Sequence, residues 1–240
     1  MEWEAPRVVV GINRISLVWT DGAARLPCDF RRYDKPFGGL DKNRQFRNML
    51  AAAKERGFLP AVVAFDGWYA GWENRKAVRR PGEHWFTRFK GNRLVNPDDT
   101  GNVPLSTLTL PPEGREVPLK GYGFVRLLRT VAPDSEVEDG ATSDLSMTEG
   151  ERREWARQAF GIEVYHRGIK QGCGIEKCQA QLAAAQRGHL PLALRAFVRL
   201  EAHWLQTGVS WSAAKTAIIR TALRTYLAQP RYTLATDPTA

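Results

Sequence analysis

The sequence predicts an α/β fold, a mixed sheet flanked by helices with a small β-rich insertion and a helical C-terminal part. Three observations carry this. Strand and helix signals alternate over the first 90 residues, Pro and Gly punctuate short apolar alternations over 91–145, and helical periodicity fills 146–240. With 240 residues, 43% apolar and 25% charged, the chain can bury a core and has no disordered composition.

Arg7 to Trp19 (RVVVGINRISLVW) reads as a long strand, Asp21-Gly22 as a hairpin turn, and Ala24 to Tyr33 as the returning partner. After the Gly38-Gly39 loop, Asp41 is a plausible N-cap for a helix through Arg56, whose Phe46, Met49, Leu50 and Ala53 share a face and which Gly57 stops. Ala61 to Phe65 is a continuous apolar run, expected as a strand buried on both faces and closed by Asp66. Glu73 to Arg80 is a short helix ended by Pro81-Gly82, and His84 to Phe89 is a strand. In the insert, Glu116–Leu119 and Gly123–Val131 alternate as strands do. Helices follow from Thr148 through Phe160, Glu163 to Gln171, Gln181 to Leu205 and Ser212 to Ala228.

Charge narrows the function classes. The net charge is +9, with +6 over residues 1–100, −4 over 101–150 and +7 over 151–240. A chain basic at both ends suits a polyanion gripped by two segments, and equally suits plain solubility. No apolar run is long enough to cross a bilayer, and the Met1-Glu2-Trp3-Glu4 start is not that of a secretory signal. Three cysteines make no disulfide framework, so a cytoplasmic setting is expected. Cys173 and Cys178, near His166 and His189, match no usual zinc spacing and read as core cysteines.

Two features point to chemistry. Asp66 stands at the C-terminal end of a strand, where open α/β sheets hold ligands. It either caps the following turn or offers a hard oxygen to Mg²⁺ or Mn²⁺. Glu163, His166, Arg167 and Lys170 fall at i, i+3, i+4 and i+7, one polar helical stripe. That stripe is either solvated or a metal-ligating Glu beside phosphate-holding cations. Trp68 and Trp72 serve as packing or as stacking surfaces for a base, and Lys90, Asn92 and Arg93 form a basic turn suited to phosphate.

Asp66-Gly67-Trp68-Tyr69, His84 to Arg88, Lys90 to Pro97 and above all Glu163 to Gln171 resemble bacterial insertion-sequence DDE transposases. The resemblance is to the group with a Tyr-(2)-Arg-(3)-Glu-(6)-Lys signature and extends over essentially the whole chain. It implies an RNase H-like domain in which two Asp and one Glu hold Mg²⁺ (or Mn²⁺), with a β-rich insertion before the Glu helix. Carried over, Asp66 is the second carboxylate and Glu163 the third. Lys170 is the signature Lys, and it and Arg167 are phosphate clamps at the DNA end. The signature Tyr and Arg positions hold Ala156 and Ala159, with Trp155 and Gln158 one residue away.

The first Asp has no strand ahead of Arg7, and Asp21, Asp29 and Asp34 are poor substitutes. The resemblance therefore implies an N-terminally truncated transposase, inactive alone, with residues 1–90 and 146–240 as the catalytic core and 91–145 as the insertion. The partners it implies are transposon-end and target DNA, with a second copy or intact transposase, in a bacterial nucleoid. The alternative is a non-catalytic DNA-binding remnant or inhibitor of the intact transposase.

Overall fold

The structure is a computed structural model, and it describes residues 13–33, 40–79, 82–131, 137–180 and 182–230. Two compact units divide the chain, one of Met1–Trp19 with Pro27–Gly161, the other of Thr20–Leu26 with Ile162–Ala240. The class is the expected mixed α/β one with flanking helices and a helical C-terminal part. Among the described residues no helix is long and apolar enough to cross a membrane.

A hairpin opens the described chain, β1 (Asn13–Thr20) and β2 (Arg25–Tyr33). The expected strand start at Arg7, Asp34 and the Gly38-Gly39 loop lie outside the described residues. Asp21 is a turn-former: its Oδ1 accepts the Ala23 and Ala24 N–H groups at 2.9 and 2.8 Å, which hold its pKa below the ordinary value. Helix α1 (Lys42–Glu55) begins where Asp41 accepts the Arg44 N–H at 2.9 Å, and Gly57, at φ 86°, ends it.

Strands β3 (Val62–Phe65) and β4 (His84–Phe89) run parallel, joined by a 3₁₀ turn over Gly67–Tyr69 and helix α2 (Trp72–Ala77). A two-stranded ribbon follows, β5 (Leu94–Val95) with β6 (Val103–Pro104). Then β7 (Arg115–Leu119), β8 (Gly123–Val131) and β9 (Val137–Thr142) join the main sheet, whose order is β3-β4-β9-β8-β7. Of the strands in 91–145, β7, β8 and β9 thus extend the sheet, because β9 pairs antiparallel with β4.

The β3 expectation needs correction. Val63 is buried but Ala64 is exposed, at an edge strand that pairs only with β4 among the described residues.

Alternation along β4 splits the core. Trp85 and Phe89 join Phe46 and Leu50 of α1 and Val117, Val125 and Leu127 on one face. Phe86 packs on the other with Leu128 and Met147, where Trp155 of helix α3 (Glu149–Ala159) covers them. Helix α3 starts in a capping box between Thr148 and Glu151.

The second unit is helical: α4 (Gly161–Arg167) runs into a π turn over Gly168–Gly172, then α5 (Ala183–Thr207) and α6 (Trp211–Ala228). Gly208, in the left-handed region at φ 72°, ends α5, and Ser210 caps α6. The helix expected over Glu163 to Gln171 is therefore α-helical only to Arg167.

Candidate functional site

Asp66 is exposed at the end of β3. Its Oδ1 accepts the Trp68 N–H at 2.7 Å and its carbonyl accepts the Tyr69 N–H at 2.8 Å, while its other carboxylate oxygen accepts nothing among the described residues. The turn is rigidly held. Thr87 donates its hydroxyl to the Phe65 carbonyl at 2.7 Å, and Tyr69 stacks on Phe46 at 5.2 Å. Gly67 is there because a Cβ would lie 2.7 Å from the Arg88 carbonyl oxygen. Burial, then the Asp66 charge, raises the Tyr69 pKa.

Trp68 is 68% exposed, with the Lys42 ammonium 5.8 Å from its ring. Trp72 is tied down: its indole N–H donates to the Gly121 carbonyl at 2.9 Å, and Lys76 sits 3.8 Å over its ring.

The basic turn after β4 separates its two cations. Lys90 is exposed, whereas Arg93 is half-buried, its guanidinium 4.1 Å from the Phe89 ring and donating to the Ala70 carbonyl at 3.3 Å. Ala70 closes the Asp66 turn, so Arg93 braces that turn from below. Desolvation lowers the Arg93 pKa.

The second unit carries Glu163, Arg167 and Lys170, all exposed. Tyr165, Gly168 and Ile169 point to the opposite side, where Tyr165 meets Phe197 edge-on at 5.0 Å and Phe197 meets Trp211 at 5.1 Å. This core holds the stripe outward. The π turn adds a residue to the turn after Arg167, so Lys170 departs from strict α-helical register, and it ion-pairs with Glu176 at 2.8 Å. Glu163 and Arg167 have no hydrogen-bond or ion-pair partner among the described residues.

Asp66, Trp68, Lys90 and Arg93 thus belong to the first unit, and Glu163, Arg167 and Lys170 to the second. The chain is transposase-like in fold. It is similar to the piggyBac transposase chain in a cryo-EM synaptic complex with hairpin DNA, at a TM-score of 0.54 and 11% identity. The likeness covers 93% of this chain and 49% of that one, so the chain spans about half the length of that transposase. No protein-family model and no curated protein sequence matches it.

Sequence reasoning missed two buried charges. Arg75 of α2 is 4% exposed among aromatic rings. Glu201 of α5 is wholly buried and accepts the Arg25 backbone N–H at 2.8 Å. Nothing in the local patterns around either residue marks a polar group as buried. The cysteines are half-buried and form no disulfide, and no group of three acid, His or Cys side chains able to hold a metal occurs among the described residues.

Proposed function

We propose that this chain is a DNA transposase-type protein of the insertion-sequence DDE group. In this reading Asp66 and Glu163 are each metal ligands, Arg167, Lys170, Lys90 and Arg93 contact phosphates, and Trp68 is a stacking surface for a base. The observation that carries it is Asp66 itself, an exposed carboxylate braced at the end of a parallel strand, with one oxygen spent on its turn and the other open. The transposase-like fold over 93% of the chain supports the same reading.

The donor chemistry fits a hard divalent cation. Mg²⁺ favours one or two carboxylates, keeps several waters and draws further ligands from substrate phosphates, so a full protein cage is not needed. When bound, Mg²⁺ or Mn²⁺ activates a hydroxyl for in-line attack on phosphorus and stabilises the leaving oxygen. The residues themselves do simpler things. Asp66 offers a fixed carboxylate, Arg167 and Lys90 neutralise phosphate charge, and Trp68 presents an open ring face.

Two measurements test this. Fluorescence anisotropy on duplex DNA should show salt-sensitive binding whose log–log slope falls by about 1 for Lys90→Ala and for Arg167→Ala. With ascorbate and peroxide present, Fe²⁺ in place of Mg²⁺ should cut the polypeptide close to residue 66, and Asp66→Asn should suppress that cutting. Salt-independent DNA binding, or cuts unaffected by Asp66→Asn, would overturn the reading. A chain that binds DNA identically in chelator and is not cut by Fe²⁺ is the non-catalytic binder instead.

A further inference from the structure

Arg75 is a charge that the fold does not explain. It is 4% exposed, and its Nε and Nη1 groups are buried with no hydrogen-bond partner. Its guanidinium carbon lies 5.2 Å from the Tyr122 ring, 5.8 Å from Trp85 and 5.9 Å from Phe89. Two more arginines share these rings. Arg93 stacks on Phe89 at 4.1 Å, and Arg79 lies 5.6 Å from the Tyr122 ring with a long bond of 3.5 Å to the Tyr122 carbonyl. Trp85 fixes the cluster by donating its indole N–H to the Tyr122 hydroxyl at 2.6 Å.

The neighbouring acids are used elsewhere. Glu73 pairs with Arg47 at 2.8 Å and Glu83 with Lys54 at 2.6 Å, and no carboxylate pairs with Arg75, Arg79 or Arg93 among the described residues. Ring faces offset part of the cost of a buried cation, but they leave directed N–H groups unmet. Burial first, and Arg93's charge second, pull the Arg75 pKa down to about 10. Three guanidiniums around one aromatic cluster without an acid are a demand for an anion.

We propose that Arg75, Arg79 and Arg93 form a recessed phosphate site, with Arg75 innermost and the exposed Arg79 and half-buried Arg93 toward solvent. Guanidinium forks match phosphate oxygens in geometry and in charge. Arg93 also donates to the Ala70 carbonyl that closes the Asp66 turn, so an anion here sits against the brace of that turn. Free phosphate and a nucleic-acid phosphodiester share this chemistry. Only assignment to the phosphodiester rests on the proposed function.

The test follows thermal unfolding of the full chain as inorganic phosphate replaces chloride at constant ionic strength. The melting temperature should rise saturably, and the apparent phosphate affinity should fall about tenfold or more in Arg79→Gln and in Arg75→Met. Arg79 is at the surface, so its variant folds whatever becomes of Arg75→Met. No phosphate-specific rise, or an equal rise in wild type and Arg79→Gln, overturns the site. A short duplex should compete with phosphate. If it does not compete and binds Arg79→Gln normally, the phosphate site stands and its assignment to DNA falls.

Discussion

Gly168 offers a sharp quantitative test of the second unit, because the structure sets its sign against helix propensity. An added methyl would press into the Trp211 ring and lie 2.9 Å from Phe197 Cε2, well inside the ~3.5–4.0 Å of an ordinary carbon contact. Phe197 is wholly buried and has little room to retreat. Overpacking of this kind costs about 1–3 kcal/mol, and the helix-propensity gain of Ala over Gly returns at most about 1. Three ring carbons inside 3.0 Å put the cost in the upper half of that range, about 2–3 kcal/mol, so the net for Gly168→Ala is a loss of about 1–2 kcal/mol, a drop in melting temperature of roughly 4–16 °C for a unit of this size.

Gly188 in α5 is the matched control. A Cβ there meets nothing within 4 Å, so Gly188→Ala should gain up to about 1 kcal/mol from propensity alone. Circular dichroism with parallel urea titrations would measure both. A Gly168→Ala protein as stable as wild type would refute the packing that holds Glu163 and Arg167 outward.

Three further outcomes are expected. Lys54 and Glu83 form a pair at 2.6 Å with side chains 8% and 7% exposed, so Lys54→Met should cost about 3–5 kcal/mol, with Glu83→Leu added to it restoring most of the loss in urea titrations. Burial raises the Glu201 pKa above 4.5 while Arg25 and the Trp211 indole oppose the shift; the indole favours the charge without reaching hydrogen-bond geometry. The folded chain therefore keeps that proton to higher pH than the unfolded chain, and this contribution is full below 4.5 and lost as pH rises through the folded value. Stability–pH curves should lose this fall in Glu201→Gln. Thr148→Ala removes the hydroxyl half of the α3 capping box and should cost about 1 kcal/mol by thermal unfolding.

What could be read from the residues follows from how local the cause is. Asp41, Gly57 and Thr148 act on their own neighbours, so α1 and α3 were legible from a few positions. Strand β9 was not. Its sequence, Val-Glu-Asp-Gly-Ala-Thr, is poor strand material, yet it lies in the middle of the five-stranded sheet. Long-range contacts put it there. Arg129 grips Asp139 through two bonds of 2.7 and 3.2 Å, and Gly140 lets the Phe86 ring approach where a Cβ would already be at 3.4 Å.

The apolar run before Asp66 failed for the same reason, since exposure of Ala64 depends on which neighbours β3 has. At the candidate site, residue type and spacing put forward Asp66, Glu163 and Arg167, and the structure leaves all three exposed. Arg93 and Arg75 differ only in what surrounds them, which no local pattern records.

The choice left open for Asp66, turn cap or metal ligand, can be resolved because the turn separates its two oxygens. Oδ1 holds the Trp68 N–H at 2.7 Å, a bond that an asparagine amide oxygen makes equally well. Asp66→Asn therefore keeps the cap and loses only the charge, whereas Asp66→Ala loses both. If the residue is only a cap, Ala should cost about 0.5–2 kcal/mol and Asn almost nothing, with divalent-ion binding the same in all three proteins. If the carboxylate is a ligand, Asn should unfold like wild type and yet bind Mn²⁺ as poorly as Ala does, because a neutral amide is a far weaker partner for a hard cation. Gly67, Thr87 and Phe46 hold the turn in place in every variant, so a loss of Mn²⁺ affinity in the stable Asn protein has no structural explanation. Titration calorimetry with Mn²⁺, beside thermal unfolding of the same samples, separates the two roles, and unchanged affinity in Asp66→Asn would remove Asp66 from the metal chemistry.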